Sequence, residues 1–186
     1  MPFTAKSGKF NASINTVEFG TGDKAVKIGG ENVFPLYSFD AAIENAPKVG
    51  IEITDFGMEH EPECIKKYYE GCATLADMAR KAASMEGVDF LSFRMEGGDP
   101  NGANKSTEEL IGELKEIADA VDLPLVVCGC KNVEKDAELF SKAAEALNGK
   151  NAVILSAKEE NYKTVGAAAG LAYKQVVGAE SAVDII

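Results

Sequence analysis

Asp89-Phe-Leu-Ser-Phe-Arg-Met-Glu-Gly-Gly-Asp-Pro-Asn-Gly-Ala-Asn-Lys-Ser106 decides how the chain is read. An apolar strand, Phe90 to Met95, runs directly into a turn of small and polar residues, and the turn opens a helix at Thr107. Ser106 offers a hydroxyl to the first free N–H groups, and Glu109 stands three residues on as in a capping box. Leu110, Ile111, Leu114, Ile117 and Ala118 then recur at helical spacing, down to Val121. Strand, polar turn and helix make one βα unit, and in parallel α/β folds such turns face ligands.

The same unit recurs on both sides. Val49 to Asp55 is a strand ending in a carboxylate, followed by a helix over Thr74–Met85 with Leu75, Met78, Ala79, Ala82 and Ala83 on one face. Leu125–Cys128 is a short apolar strand after Pro124, as expected of a strand covered on both faces. A helix from Glu134 to Leu147 stops at Asn148-Gly149. Ala152–Leu155, an Ala/Gly-rich helix over Asn161–Tyr173 and a strand over Gln175–Gly178 complete the series. Upstream, Asn15 to Ile28 reads as a β-hairpin around a Gly-rich turn, and Glu31–Phe39 as a packed connector in which Pro35 disfavours a central strand.

The predicted fold class is therefore α/β, with residues 1–46 as hairpin and connector and residues 47–186 as parallel βα units. Ser181–Ile186 reads as the opening of a further helix. Five strands and four helices do not close an eight-stranded barrel, so the sheet is open or the chain belongs to a longer protein.

A length of 186 residues, 46% hydrophobic and 26% charged, suits one soluble globular domain. The formal net charge of -11, with no Lys/Arg cluster, argues against nucleic acid as a partner. Met1–Phe10 lacks an apolar signal region and no run approaches the ~18 apolar residues of a membrane span, so the expected location is the cytoplasm, without membrane contact. Cys64, Cys72, Cys128 and Cys130 are expected as free thiols, since their spacing fits neither a zinc nor an iron–sulfur pattern. No metal site is predicted.

Candidate contact residues gather at the strand ends. Asp55 can accept from a ligand or cap the next turn. In the turn after the second βα strand, glycines including Gly102 let another molecule approach the backbone, while Asp99, Asn101 and Asn104 supply acceptors and amide donors. Asn132 stands at the corresponding place after Leu125–Cys128, and Ser156 and Asn161 follow the next strand. His60, the only histidine, lies in an acidic loop and reads as solvated. Cys130 has no histidine near in sequence to deprotonate it, so no covalent role is predicted. No Ser/His/Asp arrangement, P-loop or GxGxxG follows a strand, and no catalytic residue is assigned.

Gly98-Asp-Pro-Asn-Gly-Ala-Asn104, Leu123-Pro-Leu-Val-Val-Cys-Gly-Cys130 with Val133-Glu-Lys-Asp136, and Glu160-Asn-Tyr-Lys163, in this order, resemble the small (delta) subunit of the corrinoid iron–sulfur protein. That family belongs to the CO dehydrogenase/acetyl-CoA decarbonylase–synthase system. The resemblance implies a (β/α)8 TIM-barrel type, here only about the first five strands, since the family barrel continues through three more βα units. A truncated sequence is the corresponding expectation. It implies a non-catalytic subunit paired with a large subunit that holds the corrinoid (cobamide) and, alone, the [4Fe–4S] cluster. Methyltransferase and acetyl-CoA synthase are the implied partners in the larger complex, in which a methyl group passes from methyl-tetrahydropterin to acetyl-CoA synthase. The rival reading is an enzyme: a pterin-dependent methyltransferase or another small-molecule TIM-barrel enzyme using the same rim.

Overall fold

A computed structural model describes residues 11–32 and 43–181. Most of the predicted connector, and the helix opening after Ser181, lie outside the described residues. The elements are β1 (Val17–Phe19), β2 (Val26–Ile28), β3 (Gly50–Thr54), α1 (Glu63–Tyr68), α2 (Leu75–Ala83), β4 (Phe90–Arg94), α3 (Thr107–Ala120), β5 (Leu125–Cys128), α4 (Val133–Ala146), β6 (Val153–Ala157), α5 (Tyr162–Val165) and β7 (Val176–Ala179). β1 and β2 form the antiparallel hairpin. The other strands form a five-stranded sheet in the order β3-β4-β5-β6-β7, every neighbouring pair parallel. Strand neighbours in space are thus neighbours in sequence, as in successive βα units.

Alternation along the strands gives the sheet two different faces. Ile53, Leu91, Phe93, Met95, Val127 and Ile154 point to the helices, where Met78, Ala79 and Ala82 of α2, Leu110, Leu114 and Ile117 of α3, and Leu139, Phe140 and Ala143 of α4 meet them in one buried core. All five residues of the predicted α3 stripe are buried. The opposite face carries Val126, Cys128 and Val153, which pack with Phe19 and Val26 of the hairpin. The Phe19 ring stands edge-on to Phe90 at 5.7 Å.

Backbone bonds hold the hairpin at the N-terminal end of the sheet. Gly20 N–H donates to Asn151 O at 2.7 Å, and Asn151 Nδ2 donates to the carbonyls of Glu18 and Gly20 at 3.2 Å each. Gly20 has φ 82 and passes so close to Pro124 that a Cβ would lie 2.4 Å from its Cγ, so only glycine fits. Pro124 and Asn151 precede β5 and β6, so the hairpin lies away from the turns that leave the strand ends. Among the described residues no helix is long and apolar enough to cross a membrane.

Some elements differ from expectation. α1 was not foreseen, because over Glu63–Tyr68 no residue is buried and no apolar stripe marks it. The reciprocal capping box forms at α2, between Thr74 and Asp77, whereas at α3 only the Ser106 hydroxyl accepts, from Glu109 N–H. The Asn161–Tyr173 helix is α-helical only over Tyr162–Val165 and continues as a π-helix over Gly166–Ala172. Gly166 and Gly170 lower the α-helical preference of that segment. Gln175 ties this region together: its Oε1 accepts from Ala152 N–H at 2.6 Å, and its Nε2 donates to the carbonyls of Ala144 and Leu147.

Phe19→Ala removes the aromatic body that joins hairpin to sheet. An expected loss of ~3 kcal/mol, typical of buried Phe truncation, is measurable by urea denaturation.

Candidate functional site

Because β3 to β7 run parallel, the segments that follow Thr54, Arg94, Cys128, Ala157 and Ala179 all leave one edge of the sheet. The turn after β4 begins with a short 3-10 segment over Glu96–Gly98. It is then organised by Asp99, whose Oδ1 accepts from the backbone N–H and side-chain Nδ2 of Asn101 at 2.9 and 3.2 Å. Asp99 O accepts from Gly102 and Asn104 N–H, and Lys105 N–H closes the turn on Gly97 O at 2.8 Å. Asn104 takes a left-handed φ of 51, which asparagine tolerates. Asn101, Gly102 and Asn104 are left exposed on the rim.

Asp55 is buried beneath this turn. Its two carboxylate oxygens accept from Gly97 N–H at 3.0 and 3.1 Å. Lys105 Nζ lies 3.1 Å from Asp55 Oδ2 and donates to Asp55 O at 2.9 Å and to Glu113 Oε1 at 3.1 Å. The ammonium also sits 5.5 Å from the centroid of the Phe56 ring. Burial works against the Lys105 charge, but hydrogen bonds and charge from Asp55 and Glu113 outweigh it and raise the lysine pKa. Burial raises the Glu113 pKa against the pull of Lys105, and Glu113 Oε2 is buried without a hydrogen-bond partner.

A second carboxylate serves the next strand. Asp136, in the first turn of α4, folds back so that its Oδ1 accepts from Cys130 N–H at 2.7 Å and from Cys130 Sγ at 3.2 Å. Gly129 passes so near that a Cβ would lie 2.2 Å from Asp136 Oδ1. Burial pushes the Asp136 carboxyl up, and pushes the Cys130 thiol up to about 11. Asn132 is the N-cap of α4, its Oδ1 accepting from Lys135 N–H at 3.0 Å. Asn161 is buried; its Oδ1 accepts from Lys158 N–H at 2.8 Å and its Nδ2 donates to Val133 O at 3.1 Å. A cleft of about 620 Å³ lined by Asn132, Glu134, Glu160, Asn161 and Thr164 brings two of the predicted residues together. Ser156 is half-buried on β6. His60 is exposed beside the Phe56 ring, at 4.9 Å between centroids.

The predicted residues thus fall into groups. Asn101, Gly102 and Asn104 face outward, Asp99 and Asn132 shape their own turns, and Asp55 and Asn161 are engaged inside the protein. Sequence reasoning missed Lys105 and Glu113. It also missed a polar group on the sheet face away from the helices, where Arg94 makes a paired contact to Glu52 at 2.9 Å through both Nε and Nη2. Ser92 Oγ donates to Glu52 Oε2 at 3.3 Å and lies 3.5 Å from Cys128 Sγ. The Glu52 hydrogen bond raises the Arg94 pKa, and burial raises that of Cys128. The signal was there, since Ser92 and Arg94 alternate with Leu91 and Phe93. Among the described residues no three His, Cys, Asp or Glu side chains converge as a metal site.

Parallel βα units with amide-bearing turns along one edge define the class, an α/β protein with a five-stranded parallel sheet and a polar strand-end rim. Residues 16–185 match the family described as CO dehydrogenase/acetyl-CoA synthase delta subunit. The chain belongs to that family. It is 31% identical over 163 residues to the acetyl-CoA decarbonylase/synthase complex subunit delta of Methanothermobacter thermautotrophicus, covering 86% of this chain and 41% of the relative. The subunit of the same name from Methanocaldococcus jannaschii is 30% identical over 165 residues, covering 84% of this chain and 40% of the relative. That of Archaeoglobus fulgidus is 30% identical over 142 residues, covering 74% and 30%. The chain therefore spans less than half the length of these relatives.

Two outcomes check the electrostatics. Glu113 binds its proton more tightly folded than unfolded, so its contribution to stability falls as pH rises from the ordinary glutamate value through the raised folded value. Glu113→Gln should therefore gain stability relative to the parent between pH 5 and pH 8 in urea titrations. For the thiols, mass spectrometry after iodoacetamide at pH 8 should find exposed Cys64 alkylated first; with a pKa of about 11, Cys130 is only about one part in a thousand thiolate.

Proposed function

We propose that this chain is a non-catalytic barrel subunit whose strand-end turns cover the corrinoid of a partner subunit, in support of methyl transfer from methyl-tetrahydropterin to acetyl-CoA synthase. The observation that carries this reading is the exposed Asn101-Gly102-Ala103-Asn104 rim in a member of the delta-subunit family. Exposed carboxamides both donate and accept, and Gly102 lets a large planar group approach the backbone, which suits the amide-bearing edge of a corrin ring. The corrinoid, held with the [4Fe–4S] cluster by the partner, supplies the metal chemistry. This chain's residues shape the surface and exclude water. In this reading the sheet is the first part of a (β/α)8 barrel, the hairpin covers its N-terminal end, and the complex is cytoplasmic.

One observation favours the rival enzyme reading. Glu52, Ser92 and Arg94 form a polar group on the sheet face away from the helices, close to the strand ends, where small molecules bind in parallel barrels. Calorimetric titration with methyl-tetrahydrofolate or methyl-tetrahydromethanopterin separates the two: micromolar binding by the chain alone supports the enzyme.

The corrinoid-facing reading predicts that Asn101→Ala/Asn104→Ala weakens association with the corrinoid subunit about tenfold, or ~1.4 kcal/mol, with the fold intact and the melting temperature lowered by only about 2–4 °C, the cost of alanine at the left-handed Asn104 position. Surface plasmon resonance measures the affinity, and unchanged binding would overturn the reading.

A further inference from the structure

The turn after β4 is secured by another strand. Gly97, near its start, donates its N–H to both carboxylate oxygens of Asp55, and Lys105, at its end, contacts the same residue through Nζ. Lys105 N–H to Gly97 O joins the two ends directly. These partners are 42 and 50 residues apart in sequence, so nothing local makes the tie. Strand pairing does not require it either, since β3 and β4 are already registered from Gly50↔Phe90 to Thr54↔Arg94. What the tie adds is the shape of the turn that carries Asn101 and Asn104.

We propose that Lys105 is a positioning residue: its ammonium, shared between Asp55 and Glu113, holds the Gly97–Asn104 turn ready to receive the partner, an inference that rests on the corrinoid-facing reading above. The Asp55 side chain is 0% exposed and those of Lys105 and Glu113 only 19% and 22%, so the contacts are protected from water and salt. Gly97 is obligatory to the arrangement, because a Cβ there would stand 2.2 Å from Asp55 Oδ2 and 3.0 Å from Lys105 Cδ. A glycine-rich turn left free must be ordered at the moment of binding, and the loss of freedom weakens association. Pre-ordering by Lys105 avoids that loss without any contact between Lys105 and the partner. Asp55, whose position at a strand end is compatible with ligand contact or with capping a turn, here secures the turn from within.

The test uses the full chain and two readouts. Amide hydrogen exchange followed by mass spectrometry reports the order of peptide 96–105 in the free chain, and surface plasmon resonance reports affinity for the corrinoid subunit. Lys105→Met should speed exchange in that peptide at least tenfold, leave β5 and β6 protected, and weaken association about tenfold. Added to Asn101→Ala/Asn104→Ala it should weaken binding little further, because a disordered turn has already lost those contacts. Should a lone buried Asp55 prevent folding, Asp55→Asn/Lys105→Met removes both charges and gives the same readouts. Unchanged exchange in peptide 96–105 overturns the tie itself. Faster exchange with unchanged affinity, while Asn101→Ala/Asn104→Ala still weakens binding, overturns the positioning role and spares the corrinoid-facing reading. If neither set of substitutions alters affinity, that reading fails and the positioning role with it.

Discussion

Parallel pairing of β3 through β7 in sequence order is the constraint on which the rest of the structure depends. Each strand begins at the same edge and ends at the same edge, so every connection that follows a strand contributes to a single rim. The register carries this through in detail: Thr54, Arg94, Cys128 and Leu155 stand level across β3 to β6. The hairpin uses the other end, bonded to Asn151 and packed on Pro124, and so leaves the rim uncovered by the described residues.

At the rim, polar side chains divide between shaping and presenting. Asp55 and Asp136 are both buried carboxylates that accept backbone N–H groups from a glycine-containing turn, at Gly97 in one case and Cys130 in the other. In each, the glycine concerned leaves no room for a Cβ beside the carboxylate. Their chemistry differs in compensation. Asp55 has a lysine within 3.1 Å, whereas burial raises the Asp136 pKa and its close contacts are mostly backbone and thiol groups. The lysine adds a charge-assisted contact to the backbone bonds that hold the turn after β4.

Membership of the delta-subunit family and the exposed Asn101–Asn104 segment support the same reading from different directions. A rim of amides and open glycine backbone suits broad contact with a ring held by another chain. The Glu52–Arg94 pair and Ser92, on the sheet face away from the helices, suit a small polar ligand instead.

What the sequence determined by itself was whatever depends on near neighbours. The α3 stripe from Leu110 to Ala118, the Ser106 cap, the Asn148-Gly149 stop and the apolar strand Leu125–Cys128 all follow from helical or alternating spacing and from turn chemistry within a few residues. Quoted motifs also carried the family. What only the tertiary structure decided was the employment of each polar side chain. Asp55 and Asn161 stand at strand ends, where either ligand contact or a structural role was open, and each spends its hydrogen bonds inside the protein. Lys105 and Glu113 looked like ordinary charged residues of a turn and a helix, yet they meet beneath Asp55. Side chains tens of residues apart meet only where packing brings their elements together, and no spacing rule within one segment reports that distance.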